Sequence, residues 1–200
     1  MGHRDYRRHT LTTPPALLTV EALVAGYTTP VVGPVSFAVG RGEIVGLAGA
    51  NGTGKTTLLN AVIGTARVFS GRVARDRAVE VAVLRQFPVR LPEMPLRGAE
   101  FLRIAGVRGD VPEPLRPLTD RRIDRLSGGQ YQLLQVWACL GSPAGLVMLD
   151  EPTNNMDPQT IGALGDLLIA ARERDQGVLL ISHDARLLAR VSTRIVGVGR

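Results

Sequence analysis

Apolar and polar positions along this 200-residue chain alternate in short runs punctuated by glycine and proline. Leu17 to Val24 and Val31 to Val39 have the composition of β-strands, interrupted by Gly26, Pro30, Gly33 and Pro34. Gly40-Arg41-Gly42 is a turn, after which Glu43 opens the apolar run Ile44-Val45-Gly46-Leu47-Ala48. A helix-compatible stretch follows at Thr57 to Ile63, then strand-like Ser70 to Ala74 and Val79 to Leu84. From Pro88 to about Pro117 the texture changes: prolines are frequent, and Gly98 to Gly106 suits a short helix, so we expect a helical insertion here. Beyond it the pattern predicts a helix over Gly129–Leu140, a buried strand over Gly145–Leu149 and a helix over Pro158–Arg174. A strand at Val178–Ser182, a helix at Ala185–Val191 and a last strand at Arg194–Val198 complete it. Strands alternating with helices predict a parallel α/β sheet. There is no internal repeat and no low-complexity segment.

The first chemistry lies between the central apolar run and the helix after it. Gly49-Ala50-Asn51-Gly52-Thr53-Gly54-Lys55-Thr56-Thr57 fits G-x-x-x-x-G-K-[ST] without a gap, in the strand–loop–helix setting the motif requires. Glycines at 49, 52 and 54 let the backbone curl so that N–H groups face a polyphosphate, and the helix start adds its positive dipole end. Asn51 and Thr57 complete the cradle, Lys55 suits the β- and γ-phosphates, and the Thr56 hydroxyl suits Mg²⁺. Lys55 is the only lysine in a chain whose other strong bases are all arginine. A compact ammonium on a flexible stem fits such a loop where a planar guanidinium does not.

Composition narrows the rest. A hydrophobic content of 44% can build a core of respectable size in one domain. The net charge of +6 invites thoughts of nucleic acid, but the arginines are scattered and their densest group, Arg4, Arg7 and Arg8, sits in a flexible basic arm over 1–16. With aromatics at only 4%, no single-strand stacking platform is expected, and no nucleic-acid partner. His3 and His9 lie in that arm without metal-ligand spacing and read as solvated. The lone Cys139 excludes an intrachain disulfide and reads as a small buried hydrophobe in a reducing compartment. No apolar stretch reaches membrane-spanning length and the N-terminus lacks a signal-peptide core, so a cytoplasmic protein is expected.

Two further motifs answer the phosphate loop. The run Gly145 to Leu149 ends in Asp150-Glu151, placing two carboxylates at the carboxyl end of a central strand, where ligands bind in such sheets. Asp150 suits the Mg²⁺ that Thr56 also touches, and Glu151 suits the attacking water. An Asp-Glu pair after a strand is usually a solvated turn; the phosphate loop is what lifts this one. Leu126-Ser127-Gly128-Gly129-Gln130 precedes a helix with Ser127 as N-cap and two bare glycines, a second anion-binding start. A second such site asks for a second nucleotide, or for the nucleotide of a partner chain.

Taken together, Gly49–Thr57, Leu126–Gln130 and the Asp150-Glu151 strand resemble the ATP-binding cassette (ABC) ATPases, over roughly Leu17 to Val198. The resemblance implies an α/β fold with a P-loop NTPase core and parallel sheet, an antiparallel β-subdomain and an inserted helical subdomain. Residues 17–200 would be one cassette, the helical subdomain at about 88–142. In that family two cassettes pair head to tail over ATP. Ser127, Gly128 and Gly129, with Gln130 beside them, would then meet ATP held by the opposite subunit. Gln86 matches the glutamine loop that senses Mg²⁺ and the membrane partner, and Tyr27 matches the aromatic that stacks on adenine. Asn155-Met156-Asp157 looks like the loop coupling the two sites, and His183 matches the switch histidine at the γ-phosphate. On residue type alone, Tyr27 and His183 would read as a loop aromatic and a structural histidine.

Within the family, Val81–Phe87, Leu91–Leu96 and Glu100–Arg103 are similar to zinc- and manganese-importer ATPases. That implies a homodimer beneath two membrane permease subunits, an extracytoplasmic metal-binding protein that delivers the ion, and no contact between this chain and the metal. Three departures stand out. Leu133 and Ala138 replace the arginines usual after the signature, Arg85 replaces a common proline, and no C-terminal regulatory domain is expected after Val198. Two rival classes would carry further devices. An ABC-F-type ribosome-binding translation factor normally carries two cassettes and a charged helical linker. A DNA-repair or chromosome-structure ATPase needs a long coiled-coil insertion. This sequence has one cassette and neither device.

Overall fold

The strands that carry the site are the ones buried on both faces. The computed structural model describes residues 16–85 and 95–199; the arm with His3 and His9, and Gln86 with the segment after it, lie outside them. Five parallel strands form the central sheet in the order β5-β6-β7-β3-β8: β3 (Ile44–Ala48), β5 (Val81–Leu84), β6 (Leu146–Asp150), β7 (Gly177–Ile181) and β8 (Arg194–Gly197). All five residues of β6 and of β7 are buried, as continuous apolar runs in a covered parallel sheet should be.

Period-2 alternation sorts these side chains into two cores. Val45, Leu47, Leu146, Met148, Leu179 and Ile181 face one side. There they meet Leu58, Leu59, Ala61 and Val62 of α1 (Lys55–Val62), and the inner face of an antiparallel sheet. That sheet runs β2-β1-β4, from β1 (Leu18–Gly26), β2 (Pro30–Val39) and β4 (Arg67–Arg75). Ile44, Val147, Leu149, Val178 and Leu180 face the other side. They pack on α4 (Gly128–Leu140), α5 (Pro158–Glu173) and α6 (Ala185–Val191).

The expected helical insertion is present, with more turns than the pattern announced. α2 (Gly98–Ile104) is closed at its start by Glu100, whose Oε2 accepts the Arg97 N–H at 2.7 Å. A short α3 (Arg116–Thr119) and 3₁₀ turns at Glu113–Leu115 and Ile123–Arg125 lie at and beyond the end of the proline-rich stretch. Pro114 and Pro117 sit at the starts of these turns, where a missing N–H costs nothing. Leu102, Leu115, Leu118 and Ile123 carry the segment into the same core as α4. β4 is longer than the predicted Ser70–Ala74 because, though mostly exposed, it is paired along its length with β1. No helix among the described residues is long and apolar enough to cross a membrane.

Candidate functional site

Because the five strands are parallel, the carboxyl ends of β3, β6 and β7 open on one edge of the sheet. The phosphate loop leaves β3 there, Asp150 and Glu151 end β6, and Ser182 and His183 follow β7. Two glycines shape the loop. Gly54 caps α1 at φ 92°, where a Cβ would lie 2.6 Å from Val32 Cβ; any Cβ on Gly49 would strike the Val198 carbonyl oxygen. The first bond of α1 runs from Leu58 N–H to Gly54 O at 2.8 Å, so the N–H groups of Lys55, Thr56 and Thr57 have no helical acceptor. No acidic residue stands in that first turn. The start of α1 is therefore an anion cradle with nothing of its own to neutralise it.

Lys55 is 6% exposed, and its Nζ donates to Gly49 O at 2.8 Å and Ala50 O at 3.0 Å. Thr56 Oγ1 donates to Asp150 Oδ1 at 3.3 Å, bringing together two hard oxygen groups from residues 94 apart in sequence. Burial pushes the Asp150 carboxyl above its ordinary value, against the pull of the Thr56 hydrogen bond. Glu151 is 5% exposed and held at φ 49°, a strained conformation for a side chain of its size, by its N–H bond to Ile181 O at 2.9 Å. Its Oε2 accepts from His183 Nδ1 at 2.8 Å and from the His183 N–H at 3.2 Å. Val31, Asn51, Gly52, Gly54, Lys55, Thr56, Thr57 and Glu151 line one cavity of about 260 Å³.

The Ser127 group is built on a different end of the molecule's logic. Ser127 Oγ accepts from Gln130 N at 3.2 Å, and Gln130 Oε1 accepts from Ser127 N at 3.2 Å, a reciprocal capping box. Arg121 Nη1 also donates to Gln130 Oε1, at 3.1 Å, so this glutamine is occupied in holding the loop. Gly129 packs on the Asn155–Met156 backbone, where a Cβ would come within 2.7 Å of Asn155 O. Asn155 is itself at φ 63°, and Asp157 caps α5 by accepting the Thr160 N–H at 2.8 Å, which lowers its carboxyl pKa.

The chain thus joins Lys55, Thr56, Asp150, Glu151 and His183 in one place, and Ser127–Gly129 with Asn155 in another; the lining of the phosphate cavity contains none of the second group. Tyr27 stands on the β1–β2 turn, 54% exposed, with its hydroxyl accepting from Asn60 Nδ2 at 3.0 Å. Asn60, and Val31 as the apolar wall of the cavity, were not singled out from sequence; an asparagine within a helix and a valine at the start of a strand carry no signal of their own. Leu133 is buried among the helical core residues, and Ala138 packs against them.

Comparison with known proteins agrees with this geometry. The ABC transporter family matches residues 32–154. The zinc import ATP-binding protein ZnuC of Roseobacter denitrificans is 33% identical over 192 residues, covering 90% of this chain and 74% of that protein. The energy-dependent translational throttle protein EttA of Haemophilus influenzae is 30% identical, covering 92% of this chain but 35% of that protein. Among solved structures, the ATP-binding subunit of an ABC transporter superposes with a TM-score of 0.75 at 27% identity, over 92% of this chain and 86% of that one.

Proposed function

Because the chain belongs to the ABC transporter family of ATPases, we propose that it powers import of zinc or a similar metal ion through a membrane permease. It binds and hydrolyses ATP as the nucleotide-binding subunit of such a transporter. The observation that carries hydrolysis is the Glu151–His183 pair at 2.8 Å, at the edge of the cavity that also holds Lys55 and Thr56; the metal cargo rests on the likeness to ZnuC.

Each residue's part follows from its chemistry. Lys55 and the free N–H groups at the start of α1 hold the β- and γ-phosphates. Thr56 and Asp150, joined by a hydrogen bond at 3.3 Å, are the oxygen groups that would hold a hard cation. An Mg²⁺ held by them would neutralise charge on the phosphates. Glu151 uses Oε2 on His183, so Oε1 is the oxygen left to accept a proton from the attacking water. By the family pattern His183 would offer its other nitrogen to the γ-phosphate, and Gln86 and Tyr27 would serve the cation and the adenine.

Ser127–Gly129 complete the site only from a second copy, in a head-to-tail homodimer closed by ATP. The dimer sits on the inner face of the membrane under its permease subunits. The likeness to EttA spans about a third of that protein and carries the cassette alone.

The test is reconstitution with the permease in vesicles. ATP-dependent zinc uptake that stops with Glu151→Gln supports the reading. Hydrolysis without uptake of zinc or manganese would move the cargo elsewhere, and co-sedimentation with ribosomes in place of permease binding would overturn it.

A further inference from the structure

The sheet has a second equipped end. Opposite the nucleotide edge, where β3, β6 and β7 begin, a cavity of about 480 Å³ is lined by Arg41, Arg108, Trp137, Arg174 and Gln176, with Asp110 and Asp175 also on its wall. Arg41 lies in the turn before β3, Gln176 immediately before β7, and Arg174 at the C-terminal end of α5. Trp137 belongs to the last turn of α4, and the Arg108 N–H donates to Gly141 O at 2.9 Å, tying the end of the helical insertion to the rim.

Three features make this more than a dent in the surface. Among the described residues none of the three guanidinium groups has a carboxylate partner. Arg174 lies over the Trp137 ring, 5.4 Å from its centroid, with one nitrogen donating to Leu140 O at 3.4 Å. Burial lowers its pKa, as for a cation drawn from water without a counter-charge. Beneath the arginines, Trp137 (4% exposed) and Gln176 (7% exposed) each hold a buried polar atom without a hydrogen-bond partner, Nε1 and Oε1. Gln176 is fixed by donating Nε2 to Ala144 O at 2.9 Å. Trp137 Cε2, which bears Nε1, lies against Gly141 on the cavity wall, where a Cβ would come within 3.0 Å of it. A buried donor and acceptor left open cost stability until something pairs with them.

We propose that this cavity binds a small multivalent anion, bearing carboxylate or phosphate groups, through Arg41, Arg108 and Arg174 above the Trp137 indole. Guanidinium forks suit both anions bidentately. The two helices that end at this cavity, α4 and α5, begin at Ser127 and Asp157. An occupant therefore sits at the far ends of the helices whose starts carry the capping box and the Asn155 loop. The binding site itself does not depend on the transport reading.

Trp137 is the only tryptophan in the chain, so its emission reports on this cavity directly. The experiment titrates the full chain with citrate and, separately, with inorganic phosphate at constant ionic strength. A saturable change in Trp137 emission is expected for at least one of them, weakened at least tenfold in Arg108→Gln and in Arg174→Gln. Arg108→Gln changes an exposed side chain and keeps the test sound if Arg174→Gln disturbs packing. Lys55→Ala should leave the titration unchanged. Saturation by citrate alone identifies carboxylates, and by phosphate alone phosphates. A response that never saturates, that ignores both arginine substitutions, or that vanishes with Lys55→Ala overturns the proposal, the last by placing the anion at the phosphate loop.

Discussion

Glu151 Oε2 takes two hydrogen bonds from a single residue, His183, one from the ring Nδ1 at 2.8 Å and one from the backbone N–H at 3.2 Å. The pair exists because β6 and β7 are parallel neighbours with Asp150 opposite Ile181, so the residues just beyond each strand meet. Glu151→Gln keeps the size and can present its amide oxygen to both donors. The expected result is retained ATP binding with turnover lower by roughly 10²–10⁴, the value of a positioned base. Single-turnover hydrolysis checks it, and near-normal rates would remove Glu151 from the chemistry.

Asp150 gives a stability prediction of opposite sign to its role. Burial holds its folded pKa above the ordinary 3.8. The folded state therefore prefers the neutral acid, and this contribution is present at low pH and lost as pH rises through the raised value. Near neutral pH the buried carboxylate costs stability, so Asp150→Asn should melt higher than the parent in the absence of Mg²⁺ and nucleotide. For a chain of this size each 1 kcal/mol gained raises Tm by roughly 2–4 °C. Thermal unfolding at weakly acidic and at neutral pH reads it: the gain should shrink toward acid, while Mg²⁺-dependent hydrolysis is lost throughout. A lower Tm for the variant at neutral pH contradicts the sign.

How much of this was legible follows from where the information lies. The buried strands and the phosphate loop are local, so Ile44–Ala48 and Gly49–Thr57 could be read almost to the residue. The meeting of Glu151 with His183 depends on strand order, β6 beside β7, which no run of residues declares. The turns around Pro114 and Pro117 had no periodic pattern to announce them, although proline is compatible with the first turn of a helix. Tyr27 was named only for its match to the family's aromatic, and its tie to Asn60 was not legible, since it joins a strand turn to a helix by one hydrogen bond.

Ser127→Ala removes the acceptor of the Gln130 N–H and half of the capping box. The expected loss is about 1 kcal/mol of stability, typical for a serine cap. Chemical denaturation measures that part. If Ser127 also meets a partner's nucleotide, the variant's ATP-dependent dimer, followed by light scattering, should weaken well beyond what the cap explains. Loss of stability with an unaltered dimer would confine Ser127 to capping.

Cys139 should be inert while the chain is folded. Burial among apolar neighbours pushes its thiol up to about 11, so very little thiolate exists at pH 8. Mass-detected alkylation at that pH is expected to be negligible in buffer and complete in denaturant. Rapid labelling of the folded chain would show that α4 opens locally.

Lys55 has the last word on how the loop works. Its ammonium is buried against the carbonyl oxygens of Gly49 and Ala50, two members of the very loop it serves. The cation thus acts as an internal placeholder: it props the loop in its curled shape and is itself never left unpaired. Under the function proposed above, an arriving phosphate would not have to build the cradle; it would take over a cation already bound to the backbone. The share of affinity that Lys55 contributes is then the difference between two sets of bonds to one nitrogen, and product would leave by the reverse exchange.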